Sequence, residues 1–566
     1  MPVPELWTLK RKCPSEFVRR FPSLDPLLTQ VLYARGIDTP SKVNAFLNVP
    51  KTLANPFQMT GMNEAVARLQ QALTKDERII VYGDYDVDGV SATALLVSAL
   101  RGLGGKVEAY IPDRFSEAYG LNKAALEKLH QEGTGLVVTV DCGIRSAEEV
   151  AYAGSLGLDM IVTDHHSVPK EIPPAVAVLD PKRPDCYYDF KELAGVGVAY
   201  QLVQALTEAQ HVRGLRGIDP EQFLDLVALG TVADIVPLTE ENRSLAHWGL
   251  RRMRESPRMG LLKLMEKAGV QPEQVDGEAI GFRLGPRINA AGRLEHARLA
   301  YRLLMTNVEE EAEELADRLH RINLERQQLL DRQCRHAREL VDSQETGPVL
   351  IIDDPTFHEG IVGLIASRLT ETFYRPTLVM RRGERDTRGS ARSIEGFHIT
   401  HALDHCADLL FRYGGHAAAA GFSLPTENLP AFRECLERYC AERIGEEMLQ
   451  RRIRVDAIVP LKALDENTPQ LLRRIAPFGE GNPAPSLASV DLDLLSLRPV
   501  GSGDRHLRLS VGDGIRSLSA IAFRQGHLAK RLSLGDKVDM VYTPSLNTYR
   551  GKTSLQLVVQ AIRKSE

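Results

Sequence analysis

The sequence predicts an α/β chain of several domains: a parallel-sheet domain, a long connecting helix, a smaller α/β domain and a C-terminal β-barrel. Three observations predict it. Between residues 78 and 180, four short β-branched runs alternate with helical stretches, the pattern of a doubly wound parallel sheet. Residues 306–346 contain neither Gly nor Pro and carry Leu315, Leu319 and Ile322 at helical spacing among many Glu and Arg. From about Arg454 the chain becomes short alternating runs separated by turn signals. At 566 residues it also exceeds what one hydrophobic core serves, so three or four domains are expected.

Residues 1–75 hold several prolines and short amphipathic stretches, and read as a small, mostly helical leader. Residues 76–300 form the first α/β domain. Its strand runs are Arg78-Ile-Ile-Val-Tyr82, Leu136-Val-Val-Thr-Val140, Met160-Ile-Val-Thr163 and Val176-Ala-Val-Leu179, and each stops at acids or imidazoles. Residues 301–346 are the connector, on the order of 50 Å long if one helix. Residues 347–450 restart the α/β pattern with Val349-Leu-Ile-Ile352, a helix from about Gly360 to Thr372, and a strand over 377–380. Residues 451–566 supply five strands (486–495, 506–511, 518–523, 537–543 and 554–561), which suggest an OB-like barrel.

Composition narrows the class. Apolar residues are 43% and charged residues 26%, ordinary for a soluble globular protein. No apolar run approaches the roughly 18–20 residues of a membrane span. Met1 to Lys12 lacks an apolar segment and a cleavage pattern, so no signal peptide is read there. Seven scattered cysteines without a CxxC predict no disulfide framework or zinc site, and a reducing cytoplasm. The net charge is −5, unevenly spread: residues 451–566 carry 18 Lys/Arg against 11 Asp/Glu, a balance of +7. A basic module on an acidic body suits a chain that grips phosphates with one part and cations with another.

The densest chemistry is Gly83-Asp84-Tyr-Asp86-Val-Asp88-Gly89. Three carboxylates in five residues repel, so bound cations, basic neighbours or solvation must offset them. An EF-hand loop would need Glu at its twelfth position, where this chain has Leu95. The other strand ends decide between the remaining readings. Ligands of open α/β sheets bind beyond the carboxyl ends of the strands. Asp84, Asp86, Asp88, Asp141, His165 and His166 all follow such ends. Carboxylate with imidazole and no thiolate suits Mn²⁺ or Mg²⁺.

Asp-x-Asp, a later single Asp, and then Asp164-His165-His166 resemble, in order, the motifs of the DHH phosphoesterase family. The fourth motif resembles Leu229-Gly-Thr-Val-Ala-Asp234. The resemblance implies a DHH domain and a smaller DHHA1 domain, with two metal ions, Mn²⁺ or Mg²⁺. It makes Asp141 the catalytic bridging ligand. Asp88, His165 and Asp234 complete one site, and Asp84 and Asp86 help form the other. His166 becomes the catalytic imidazole that protonates or polarises the phosphoryl group. Two such ions lower the pKa of a water nucleophile and neutralise charge in an in-line transition state. Small relatives carry His where this chain has Tyr82, which leaves the second site with a different ligand set.

Further stretches resemble the single-strand exonucleases of the family: 285–294, 357–368, 388–393, the Gly-rich 414–421 and 477–485. They imply a 5′→3′ exonuclease that releases 5′-mononucleotides from single-stranded DNA in repair and recombination. Implied partners are a 5′-ended single strand, a single-strand-binding protein and a RecQ-type helicase, with the chain a monomer. Arg114, Ser390 and Arg392 look like a pocket for the terminal 5′-phosphate, as arginine forks suit phosphate. Arg293 is a backbone contact or a packing residue of its Gly-rich turn. Gly414 and Gly415 would let backbone N–H groups approach an anion, to which His416 would donate. In the barrel, Phe523, Tyr542 and Tyr549 are stacking candidates, and Arg505, Arg508, Arg550 and Lys552 are backbone contacts. Two other readings compete: a phosphodiesterase for short oligoribonucleotides or cyclic dinucleotides, which needs no barrel, and a non-enzymatic scaffold, which would lack several motif acids.

Overall fold

The computed structural model describes residues 5–565 apart from 115, 118, 119, 213, 215, 216, 344–346 and 550. The chain divides into two compact units, one of Lys51–Gln450 with Gly479–Gly481, the other of Glu5–Pro50, Arg451–Phe478 and Asn482–Glu566.

In the first unit a five-stranded sheet runs in the order Lys106–Tyr110, Arg78–Tyr82, Leu136–Thr139, Asp159–Thr163, Ala177–Leu179, all parallel. The strand order reverses between Arg78–Tyr82 and Leu136–Thr139, the place where ligands of doubly wound sheets bind. The edge strand Lys106–Tyr110 has no continuous apolar run because only one face is covered, with Val107 buried and Lys106 and Glu108 exposed. The helix Val87–Gly102 is apolar on nearly all sides and is buried in the largest core cluster.

The connector is a 34-residue helix, Glu309–Asp342. Its first turns place Ala312, Leu315, Ala316 and Leu319 in the core of the parallel-sheet domain. Its last turns place Leu330, Cys334, Ala337 and Val341 in the core beneath the second sheet. One apolar stripe thus serves two cores.

The second sheet runs Arg412–Gly415, Ala419–Pro425, Asp386–Arg392, Thr377–Arg382, Leu350–Asp354, with only the last two strands parallel. Asp386–Arg392, where the sequence predicts no strand, is the central strand. Thr387, Gly389 and Ala391 are buried on one face, and Asp386, Arg388, Ser390 and Arg392 share the other.

In the second unit, Leu487–Val500, His506–Gly512, Ser517–Ala522, Lys552–Lys564 and Lys537–Tyr549 close into a five-stranded barrel through pairing of the first with the last. The expected leader over 1–75 is not a unit of its own. Glu5–Leu9 is a strand parallel to Arg451–Val455, and Phe17, Leu28, Val31 and Leu32 share a core with the barrel. The three short helices before residue 50 cannot bury enough apolar surface alone, and the fourth, Met62–Thr74, packs into the core of the parallel-sheet domain. Tyr542 is also corrected: it is fully buried, its hydroxyl 2.7 Å from Ser489 Oγ. Strand alternation turns the ring inward: Val538, Met540 and Tyr542 point to the same barrel core. Phe523 is exposed, as are Arg505, Arg508 and Lys552. Arg550 and the side chain of Tyr549 lie outside the described residues.

Candidate metal centre

The strand ends of the first sheet deliver the acids. Asp84, Asp86 and Asp88 follow Arg78–Tyr82, Asp141 follows Leu136–Thr139, and His165 and His166 follow Asp159–Thr163. Asp234 caps the C-terminus of the helix Leu224–Ala233 and turns back to the same place. Asp86 caps the helix Val87–Gly102, one oxygen accepting from the N–H groups of Asp88 (2.9 Å) and Gly89 (3.1 Å). Asp88 accepts from the N–H groups of Gly195 (2.7 Å) and Val196 (2.9 Å), where the positive end of the helix Gly195–Val212 meets it.

Two glycines make this approach possible. A Cβ at Gly195 would lie 2.7 Å from Asp141 Oδ1, and one at Gly230 would lie 2.6 Å from Asp88 Oδ1. Asp141 itself sits at φ 60°, a left-handed conformation that Asp tolerates better than most residues.

Ligand atoms converge in three overlapping groups: Asp141 with His165 and His166; Asp88 with His165 and Asp234; and Asp84 with Asp86 and Asp141. His165 Nε2 is 3.1 Å from Asp141, 3.6 Å from Asp234 and 4.0 Å from Asp88. Asp84, Asp88, Asp141 and His165 are between 1% and 4% exposed. Asp84 Oδ1, Asp141 Oδ1 and both ring nitrogens of His165 are buried without a hydrogen-bond partner among the described residues. Burial and the charge of Asp86 push Asp84 up to about 8 and Asp88 up to about 7. Burial and the neighbouring carboxylates raise Asp141 and Asp234 well above the carboxylate range. Burial drives His165 the other way and keeps its ring neutral. Buried acids that lack partners, with a neutral imidazole among them, are what a hard divalent cation satisfies. The residues fit the ions that the motif order implies.

His166 differs from His165. Its Nδ1 is 2.7 Å from Asp164 Oδ1. Burial alone would lower this imidazole, but Asp164 foremost, with Asp234 and Asp84, outweighs it and holds His166 at about 9. Asp164 points away from the ligand groups and accepts from the N–H groups of Ile144, His165 and His166. The ring of His166 stacks on His416 at 5.5 Å, which brings the hairpin of Gly414, Gly415 and His416 to the centre. Tyr82, at the position of the relatives' His, is buried, stacks on Tyr110 and donates to the Gly120 carbonyl, so it faces away from the acids.

The predicted phosphate residues form a second group. Arg114 lies over the ring of Tyr85, 4.8 Å from its centroid. Burial, with the charges of Arg114 and Arg392, pushes Arg293 down to about 9. Arg293 donates to the Gly360 carbonyl, and Arg392 donates to Ser367 Oγ and the Ala391 carbonyl. A Cβ at Gly363 would lie 3.0 Å from Arg392 and 3.2 Å from Ser390 Oγ, so these two sit together at the start of the helix Val362–Phe373. Other arginines of this stretch are spoken for: Arg381 and Arg388 pair with Glu359, and Arg382 with Asp353. Arg114, Arg293 and Arg392 act on one another as like charges, a repulsion that a bound anion relieves.

Sequence reasoning passed over several residues. Asp164 orients His166. Asp180, fully buried after the last strand, is pushed by burial up to about 7, and the charge of Lys182 acts on it. Asn289 accepts from the Val87 N–H. The strand-end rule could have found Asp180 and Lys182; the others need tertiary geometry.

Comparison with known proteins finds three family matches along the chain. Residues 78–231 match the DHH family, N-terminal domain; residues 346–442 match the DHHA1 domain; residues 455–561 match the RecJ OB domain. The single-stranded-DNA-specific exonuclease RecJ of Haemophilus influenzae is 34% identical over 95% of this chain and 96% of its own length. That of Bacillus subtilis is 37% identical over 96% of this chain and 68% of its own. The chain belongs to the RecJ family. A RecJ of Thermus thermophilus, solved in complex with Mn²⁺, superposes with a TM-score of 0.85 at 32% identity, over 99% of this chain and 80% of that one. Within this RecJ-family chain, Asp234 falls three residues beyond the DHH match, so the fold rather than that match brings it to the centre.

Proposed function

We propose that this chain is a RecJ-type exonuclease that hydrolyses single-stranded DNA from the 5′ end and releases 5′-mononucleotides, in DNA repair and recombination. The observation that carries the reading is the convergence of Asp84, Asp86, Asp88, Asp141, His165 and Asp234 in one buried site, with the group of Arg114, Arg293 and Arg392 beside Ser390.

Asp141 would be the ligand shared by two ions, either Mn²⁺ or Mg²⁺. Asp88, His165 and Asp234 would complete one set, and Asp84 and Asp86 would belong to the other. When bound, such a pair activates water and neutralises the charge of an in-line displacement. The protein's own groups do the rest. Asp164 keeps His166 protonated, so that its Nε2 can donate to a phosphoryl oxygen. Gly414 and Gly415 admit the backbone to the same anion, and His416 supports His166 by stacking. Arg114, Arg293, Ser390 and Arg392 hold the terminal 5′-phosphate. A fixed reach from that anchor to the acids makes cutting stepwise and sets its polarity.

The barrel binds the rest of the strand through Arg505, Arg508 and Lys552, with Phe523 offering a stacking face, so binding falls steeply with salt. Family membership supports extending the proposal to a cytoplasmic monomer that works with a single-strand-binding protein and a RecQ-type helicase. Among the described residues, no helix is long and apolar enough to cross a membrane. The test compares degradation of a single strand, its blunt duplex and a single strand with a blocked 5′ end, each with Mn²⁺. Degradation of the first alone is expected; equal loss of the duplex or of the blocked strand contradicts the proposal.

A further inference from the structure

The strand ends of the first sheet form a row. Arg114 follows the edge strand Lys106–Tyr110. Asp84, Asp86 and Asp88 come next, then Asp141 with Arg145, then His165 and His166 with Ser167, and last Asp180 with Lys182. Cations therefore stand on both flanks of the acids. Neighbouring strands are about 4.8 Å apart, so Arg114 and the Ser167 loop are separated by about 14 Å along this row. The second sheet repeats the order: Ser390 and Arg392 lie on its central strand, and Gly414 lies two strands away on its edge.

Arg145 is exposed, and its Nε donates to the Ser167 carbonyl at 3.2 Å. A Cβ built on Gly414 would be 3.7 Å from its Nη1, with no other atom within 4 Å. Its charge reaches His416, which stacks on His166. Among the described residues it has no carboxylate partner. Lys182 adds a second positive charge from the neighbouring loop, felt at His165, His416 and Asp234.

We infer that Arg145 binds the phosphate immediately 3′ of the scissile one. Three consecutive phosphates then have three receivers in a row: the Arg114, Arg293 and Arg392 group for the terminal phosphate, the acids and His166 for the scissile one, and Arg145 for the next. This assignment rests on the proposed 5′→3′ exonuclease reading. Gripping the strand on both sides of the cut holds the scissile phosphate in register, which a single anchor would leave free to pivot.

The test uses the whole protein with Mn²⁺ and three 5′-phosphorylated substrates: a dinucleotide, a trinucleotide, and a trinucleotide whose second internucleotide linkage is a neutral methylphosphonate. The dinucleotide has a terminal and a scissile phosphate but no third. Arg145→Gln is expected to lower kcat/KM on the trinucleotide by about tenfold or more, the size of one lost charge-assisted contact, and to leave the dinucleotide unchanged. The wild type is expected to lose the same factor on the methylphosphonate trinucleotide, and Arg145→Gln to lose nothing further on it. An equal loss on dinucleotide and trinucleotide, no loss on either, or additive losses from the two changes would each overturn the inference. Failure of the wild type to cut these substrates from the 5′ end would instead overturn the exonuclease reading.

Discussion

His166 Nδ1 lies 2.7 Å from Asp164 Oδ1, and the two side chains fix each other's ionisation. Asp164 is held below the carboxylate range despite its burial, chiefly by His166, and His166 is held at about 9 against an ordinary 6.5. The stability from the raised imidazole is full below pH 6.5 and is lost as pH rises through about 9. The stability from the depressed carboxylate is present above the ordinary carboxylate range and is lost in acid. Asp164→Asn should therefore be less stable than the wild type between roughly pH 4 and pH 9, with the gap closing outside that window, by urea denaturation across pH. Its kcat should fall on the order of 100-fold as His166 loses its proton near neutrality. Unchanged activity at pH 8 would remove His166 as the proton-holding group.

Metal uptake should release protons. In the metal-free fold Asp84 and Asp88 stand at about 8 and about 7, because burial and Asp86 disfavour their charged forms. A raised carboxyl costs stability as pH climbs from its ordinary range through its folded value, and a cation cancels that cost. The thermal shift produced by Mn²⁺ should thus grow from pH 6 to pH 8.5. Calorimetry in buffers of different ionisation enthalpy should show proton release at pH 7. A thermal shift independent of pH would show that these carboxyls do not receive the ion.

Asp141 allows a clean separation of activity from folding. Ala at its left-handed φ of 60° would cost about 1–2 kcal/mol in backbone alone, whereas Asn accepts that conformation. Asp141→Asn should abolish hydrolysis, and the metal-free variant should melt no lower than the wild type, since a buried carboxyl whose ionisation is disfavoured gives way to a neutral amide. More than a few per cent of residual activity with normal folding would dismiss the shared-ligand role.

Arg392 and Ser390 should matter only for ends that carry a phosphate. Arg392→Ala is expected to weaken binding of 5′-phosphorylated single strands by about tenfold and to leave 5′-hydroxyl strands nearly unchanged, read by fluorescence anisotropy. An equal loss on both ends would make Arg392 a general backbone contact.

Much of this site was legible in the sequence because one rule covers it. Side chains just beyond parallel strands converge, and Asp84 to Asp88, Asp141, His165 and His166 are all of that kind. Asp234 was legible only through the motif order, since a helix-end acid carries no signal of what it faces. What was not legible is long-range. Nothing local in Glu5–Leu9 announces a strand partner at Arg451–Val455. Tyr542 reads as a stacking candidate because an aromatic ring suits either face of a strand, and only the closed barrel shows that Val538, Met540 and Tyr542 share its core. Asp386–Arg392 carries no strand signal because its buried positions are Thr387, Gly389 and Ala391, residues too small to register as an apolar stripe. Asp164 sits in the motif beside the two histidines, yet only geometry shows that it serves His166.

The polarity of cutting tests the whole account most directly. A 5′-phosphorylated single strand with different labels at its two ends is incubated with the protein and Mn²⁺, and products are resolved over time. The account predicts that the 5′ label appears first as a mononucleotide, while the 3′ label stays on progressively shorter strands. Release of the 3′ label first, or internal fragments carrying the 5′ label, would contradict it.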